Sequence, residues 1–307
     1  MTAFLLRRLG FSVFVLWGAV TVVFVIMRLI PGDPALAMLG PDATAAELNE
    51  LRASLGLHQP ILTQYFVYLF DVVRLDFGES MRMGGDALGV VLERMPMTMQ
   101  LAAAAVLIAL IGGIGLGVLS ALRVGTPIDW LSNALTLFAQ SLPAFWVGIV
   151  LVLVFSRLLN ILPSGGPGGI EHLVLPAFTL SLGFMALVMR MTRSGLLEVL
   201  EQGHVATARA KGLPEHVVIF AHGVRNALIP LVTVIGLYVG SVLGGSVLIE
   251  TVFSWPGVGR LLVDSISFRD YSVVQACILL FTAIVVVANL AVDLLYGLLD
   301  PRVRAER

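Results

Sequence analysis

The chain has 307 residues, of which 13% are charged and 58% hydrophobic, and its mean hydropathy is +0.96. Ordinary globular chains carry about 25% charged residues and need them to stay dissolved, so this composition excludes most soluble folds. Nineteen Lys and Arg against twenty Asp and Glu leave a net charge of -1, which offers no basic face to nucleic acid, and the lone Cys277 has no disulfide partner and no metal-type spacing.

Six runs lack any Asp, Glu, Lys or Arg: Leu9 to Met27 (19 residues), Met95 to Leu122 (28), Trp130 to Ser156 (27), Leu173 to Met189 (17), Asn226 to Ile249 (24) and Tyr271 to Val292 (22). A helix needs about 20 residues, range 17–25, to cross a hydrocarbon core of about 30 Å, so all six predict transmembrane helices. The first run is too long for a signal peptide, and Arg28 with Pro31-Gly32-Asp33-Pro34 follows it before any cleavage-like tripeptide. The fourth is short, but Arg190 can snorkel and Thr192 can prolong the helix. Pro143 is expected to kink the third span.

A seventh uncharged run, Ala53 to Phe70, is interrupted by Ser54, Gly56, His58, Gln59, Pro60 and Gln64 and reads as extramembrane. It lies in a long segment, 31–97, between the first two spans. There Thr44-Ala45-Ala46-Glu47 reads as a capping box opening a short helix with Leu48, Leu51 and Leu55 on one face. A second amphipathic helix starts at Pro60, with Ile61, Tyr65, Phe66, Leu69 and Val73 on its apolar side. The pair is expected to form a small helical cap rather than a substrate-binding module, because so short a stretch buries little core.

Basic residues fix the orientation. With the N-terminus inside, inner segments hold Arg7, Arg8, Arg123, Arg190, Arg193, Arg209, Lys211, Arg225, Arg302, Arg304 and Arg307, while the short outer loops hold Arg157, Arg260 and Arg269. That bias predicts cytoplasmic termini and an external position for 31–97, a long loop that crosses regardless of charge. The outer loop 157–172 carries Pro163-Ser164-Gly165-Gly166-Pro167-Gly168-Gly169 and reads as irregular and mobile; in 250–270 the aromatics Phe253 and Trp255 suggest interface anchoring.

Small residues recur at helical spacing, Gly113, Gly117 and Ala121 on the second span and Gly236, Gly240 and Gly244 on the fifth. Close helix packing is the plain reading of both stripes; a translocation path lined by the fifth helix is the sharper reading of the second. Asp293, sharing a face with Asn289, is the best candidate for an ionisable group in the spans, and at the inner end of the last one it reads as a polar packing or subunit contact.

The inner loop 194–228 carries the strongest signal. Leu196 to Ala210 reads as one helix, Gly212-Leu213-Pro214 breaks it, and Glu215 starts another. Ala206 and Ala210 share a face beside Arg209 and Lys211, a surface that suits a groove on a soluble partner as well as it suits a solvated connection.

Thr207-Ala208-Arg209-Ala210-Lys211-Gly212-Leu213, followed by Arg225-Asn226-Ala227-Leu228-Ile229-Pro230, resembles the cytoplasmic "EAA" loop of ABC-importer permeases, in the branch that imports dipeptides, oligopeptides, glutathione and nickel. The likeness extends through Arg7-Arg8-Leu9, Ile30-Pro31-Gly32-Asp33-Pro34, Met191-Thr192-Arg193-Ser194, Glu250-Thr251-Val252-Phe253-Ser254-Trp255-Pro256-Gly257, Arg269-Asp270-Tyr271 and Asp300-Pro301-Arg302. Ala206 stands where the general pattern has Glu and Arg225 where it has Pro, departures shared by the peptide and nickel branch.

The resemblance implies an all-α, multi-pass membrane protein of the type I importer permease fold. It divides into a first helix (1–30), the insertion 31–97 and a five-helix core (98–307). Such a chain forms half a pore with a second homologous permease, receives cargo from an extracytoplasmic binding protein and docks two cytoplasmic ATPases through Ala206, Thr207, Ala208, Arg209, Ala210, Lys211, Gly212 and Leu213. ATP and Mg are then expected on the ATPases, with no cofactor on this chain, which sits in the lipid of the cytoplasmic (inner) membrane. Lys211 is the sole lysine and lies between Ala210 and Gly212, so no phosphate loop exists here. The absence of HExxH and GxSxG patterns, with every histidine outside the spans, argues against an intramembrane enzyme. A secondary transporter would place ionisable groups near the bilayer midplane, and Asp293 lies too near the inner boundary for that.

Overall fold

A chain in hydrocarbon must satisfy its own backbone hydrogen bonds, and helices are how this one does so. The computed structural model describes residues 2–29, 34–40, 43–54 and 56–299, and among them the only β pairing is an isolated bridge between Glu79 and Asp86. The first part of the chain forms α1 (Thr2–Leu29), α2 (Pro34–Leu39), α3 (Ala45–Ser54), α4 (Ile61–Val73) and α5 (Ala87–Leu122). Then come α6 (Pro127–Ser141), α7 (Ala144–Leu151) with a π-helical continuation over Val152–Leu158, and α8 (Ile170–Leu200). The last part comprises α9 (Gly203–Ala210), α10 (Glu215–Val217), a π-helical segment Val218–Val224, α11 (Arg225–Ala227), α12 (Ile229–Val252), α13 (Val258–Ser267) and α14 (Tyr271–Leu299).

Leu6–Leu29 of α1, all of α5 and α8, and Tyr271–Ala291 of α14 are each long and apolar enough to cross a membrane. The third expected span differs from a kinked rod: α6 and the helix Ala144–Leu158 meet at a bend of 107° and reach spanning length only as a pair. Pro143 has no N–H to donate, and it holds Leu142 extended at φ -97°, ψ 139°, so the α-helical ladder stops and restarts. Of the motifs named above, 30–33 and 300–302 lie outside the described residues, as does Leu55, and the side chains of Leu51 and Asp293 are likewise not described.

The described residues pack as two units, those up to Pro96 with Leu261–Leu290, and Met97–Arg260 with the end of α14 from Ala291. In the first unit, Val20 and Val23 of α1 and Leu279 of α14 form a core joined by Tyr68, Leu69 and Val72 of α4. The Tyr65 hydroxyl lies 2.7 Å from Thr21 Oγ1, so α4 runs beside the apolar stretch of α1. Of the apolar side expected to pack, Tyr65 and Leu69 do so, together with Tyr68 and Val72, whereas Ile61, Phe66 and Val73 are exposed. Apolar residues line both sides of this helix, so periodicity alone does not choose between them. The capping box forms as expected, with Thr44 N–H donating to Glu47 Oε2 at 2.8 Å and Glu47 N–H to Thr44 Oγ1 at 3.3 Å. In the same unit Ser80 donates to the buried carboxylate of Asp270 at 2.7 Å, and the Arg82 guanidinium lies 3.5 Å above the Phe268 ring.

In the second unit α8 is the central helix, flanked by α6, α7 and α12. A Cβ on Gly113 would lie 2.8 Å from the Met185 carbonyl oxygen, and one on Gly117 2.7 Å from that of Met189, so the α5 stripe serves close packing on α8. A Cβ on Gly244 would meet nothing within 4 Å, so at that position the α12 stripe is left open by its own chain.

Candidate functional site

The connection from α8 to α12 is built from short pieces. The expected single helix Leu196 to Ala210 is broken: α8 ends at Leu200, Gln202 turns extended at φ -75°, ψ 149°, and α9 starts at Gly203. Glycine is a poor interior helix residue, which favours a joint there. Val205 and Ala208 of α9 are buried, in a cluster with Val118 and Ala121 of α5, Leu196 and Val199 of α8, and Val218 and Val224 of the π segment. Ala208 therefore faces inward, whereas Ala206, Thr207, Arg209, Ala210, Lys211, Gly212 and Leu213 are exposed.

The turn after α9 is closed by Gly212 N–H to Arg209 O at 2.9 Å, with Gly212 at φ +78°, a left-handed conformation that glycine adopts without a Cβ clash. Arg209 reaches across the turn to Glu215 at 2.8 Å, and this contact holds the Glu215 carboxyl below its ordinary value. Gly223 packs so closely that a Cβ there would lie 2.8 Å from Leu196 Cδ1. The result is a small-residue elbow, with one face fixed to the helix ends behind it and the other bare.

A polar knot joins α5, α6 and α8, and of its members the sequence motifs single out only Arg193, within Met191-Thr192-Arg193-Ser194. Arg193 of α8 grips Asp129 of α6 with two hydrogen bonds, Nε to Oδ1 at 2.8 Å and Nη2 to Oδ2 at 3.0 Å. Asp129 also accepts from Ser120 of α5, from Gly125 N–H at 3.1 Å and from Asn133 at 2.7 Å. Fork-like pairing of guanidinium with carboxylate fixes geometry as well as distance, so three helix ends are held in register. Asp129 carried a detectable signal, since it is the acidic residue that delays the third uncharged run to Trp130, but its partner sits 64 residues away.

A second polar knot occupies the Glu250 segment. Glu250 is fully buried and accepts from Thr98 Oγ1 at 2.8 Å and from Arg260 N–H at 3.0 Å, while Val258 N–H donates back to Thr98 at 2.8 Å. Cβ atoms on Gly257 and Gly259 would lie 2.5 and 2.9 Å from the carboxylate, so only glycine lets the chain fold around it. Phe253 and Trp255 are core residues at 0% and 1% exposure rather than interface anchors, and the Trp255 indole donates to Met97 O at 2.9 Å. The glycine-rich loop read as mobile is pinned here too, with Gly166 N–H on Phe253 O at 2.8 Å and the His172 ring 2.8 Å from Gly165 O.

Several apolar helices of spanning length, a bent helix pair and an exposed small-residue elbow place the chain among multi-pass membrane proteins. The solved structure described as an amino acid ABC transporter with histidines shares the fold over 70% of this chain and 94% of its own, at TM-score 0.51 and 17% identity. Residues 1–102 match the N-terminal model, and 113–305 the main model, of the binding-protein-dependent transport system inner membrane component, and the chain belongs to that family. The oligopeptide transport system permease of Bacillus subtilis is 40% identical, covering 99% of each chain. The di/tripeptide permease of Pseudomonas aeruginosa is 39% identical over 100% of each, and the glutathione permease of Escherichia coli O1:K1 39% over 99% of each. The protein is thus an inner-membrane permease subunit of an ABC importer, a transport component that works with ATPase and binding-protein components and is not itself an enzyme.

Proposed function

We propose that this chain forms half of a translocation pore for peptides or a related small solute, paired with a second homologous permease, served by an extracytoplasmic binding protein and driven by two cytoplasmic ATPases. Peptide cargo is suggested by the names of the relatives at 37–40% identity. The observation that carries the coupling role is the bare face of α9: Ala206 and Ala210 are exposed on a helix whose other side, Val205 and Ala208, is locked into the core. An exposed small-residue helix on a rigid base suits a groove in a soluble partner. ATP and Mg then belong to the ATPases, and this chain binds no cofactor.

Six spans follow if the bent pair counts as one and α12, with 24 residues, as another, since 24 residues make about 36 Å of helix. Both termini are then cytoplasmic, which the distribution of basic residues supports. In this reading the chain divides into a first helix (1–30), the insertion 31–97 and a five-helix core (98–307) that contains the coupling loop 194–228. Segment 31–97 is placed on the extracytoplasmic side, with α4 leaning into the leaflet beside α1. The open surface at Gly244, with Gly236 and Gly240 on the same face, is assigned to the pore or to the partner permease.

The test is a reconstituted complex carrying Ala206→Trp and Ala210→Trp. Bulk on the bare face is expected to abolish cargo-stimulated ATP hydrolysis and uptake while the permease still inserts and purifies; wild-type coupling in that variant refutes the docking role.

A further inference from the structure

The unit containing α1, α4 and α14 up to Leu290 holds two cavities outside the residues assigned to coupling. The first, about 320 Å³, opens where α1 ends and α14 begins, and Arg28, Tyr68, Asp71, Asp76 and Gln275 supply its polar groups. The second, about 540 Å³, is lined almost wholly by carbon, including Val13, Val20, Val72, Leu279 and Ala283. Phe77 lines both. Along α4, Tyr68 and Asp71 face the first cavity while Leu69 and Val72 face the second; along α14, Gln275 faces the first and Ala276 the second. A polar chamber therefore adjoins an apolar one at Phe77. From Tyr271 to Ala283 the pair descends about 18 Å of helix, against about 15 Å for half of a hydrocarbon core.

The polar chamber is unevenly charged. Arg28 ends α1 with its guanidinium 5.2 Å from the centre of the Phe24 ring. Facing it are Asp71 and Asp76, of which Asp76 accepts from Gly78 N–H at 3.0 Å. Burial and the neighbouring Asp76 together push the Asp71 carboxyl above its ordinary value, a cost that a bound cation would relieve. The Tyr68 hydroxyl is buried in the wall without a hydrogen-bond partner, and a buried polar group left unpaired is a standing penalty.

We propose that the two cavities together bind one glycerophospholipid with a primary-ammonium headgroup: the ammonium on Asp71 and Asp76, the phosphate on Arg28 and Tyr68, and one acyl chain in the apolar cavity. A peptide zwitterion would satisfy the same charges but leave the carbon-lined chamber empty, which is why the amphiphile is favoured. The inference needs α1 and α14 to cross the bilayer and is independent of cargo and of ATPase docking; with the N-terminus inside, the site lies in the extracytoplasmic leaflet.

Native mass spectrometry of the full-length permease with phosphatidylethanolamine, phosphatidylglycerol or phosphatidylcholine of identical acyl chains tests it. Phosphatidylethanolamine is expected to be retained about tenfold better than either competitor, the value of roughly one charge-assisted contact. Asp71→Asn with Asp76→Asn removes that preference, and Ala283→Trp, which fills the apolar cavity, removes the retained lipid altogether. Equal retention of the three lipids by the wild-type protein overturns the proposal without any variant. So does displacement of the lipid by dialanine, which would mark a peptide site, or undiminished preference in the double Asn variant. Because the assay contains neither ATPase nor transport, its failure leaves the coupling role standing.

Discussion

The Glu250 corner and the α9 elbow lie in the same packing unit and both carry sequence motifs of the importer permeases, yet the structure uses them in opposite ways. At the corner every feature is consumed internally: Glu250 is hydrogen-bonded on both oxygens, the two glycines exist to make room for it, and Phe253 and Trp255 fill the core. At the elbow only Val205 and Ala208 are consumed, and the remaining small residues are left bare. A motif whose side chains are all satisfied within the chain is a frame; a motif that its own chain declines to cover is an offer to another molecule.

Thermal unfolding in detergent can break or sharpen this contrast. Glu250→Ala carries the largest expected effect, because it strands the Thr98 hydroxyl and the Arg260 N–H, and each buried group left unpaired costs about 1–3 kcal/mol. The variant is expected to unfold well below wild type or to fail purification, and a wild-type melting temperature would show the corner to be no frame. Asp129→Asn comes next, since it takes away the charge that Arg193 grips and loosens three helix ends together; a modest fall in melting temperature accompanied by weakened ATPase coupling is expected. The tryptophan pair on α9 should leave melting unchanged while abolishing coupling, which places its effect wholly on the partner.

The smallest effect is at Arg209 and Glu215, an exposed pair that solvent screens. The Glu215 carboxyl is held low by Arg209, so its contribution is present above the unfolded-state value and is lost as pH falls through the folded one. In a carbon-detected titration, Arg209→Ala is expected to return Glu215 to an ordinary carboxylate midpoint with little change in melting; an unmoved midpoint would show that the contact does not persist in solution.

Much of this architecture was legible in the order of residues because its signals are local. Uncharged runs marked the four helices that are long and apolar enough to cross a membrane, and Thr44 with Glu47 marked a helix start that forms with both reciprocal hydrogen bonds. What the sequence hid depends on distant partners. Nothing near Phe253 and Trp255 tells an interface aromatic from a core one; that is decided by Met97 and Gly166, far away along the chain. The same holds for Asp129, whose meaning arrives only with Arg193. On α4, where both sides are apolar, the buried face is chosen by α1, through Thr21 and Tyr65. The joint at Gln202 was missed because a single Gly203 within a helical pattern is weak evidence of a break.

The bend between α6 and α7 bears on how the protein enters its membrane. Neither arm, at 15 residues from Pro127 to Ser141 and 15 from Ala144 to Leu158, is long enough to be recognised as a span by itself, and the bared backbone between them finds no partner in lipid. What steadies the second arm is contact with α8 and α12, including Gly148 against Phe253 and Thr179. Those residues leave the ribosome only after the bend itself. The second arm therefore acquires its packing only once α8 and α12 have been made, so the bent segment is completed by parts of the chain that follow it.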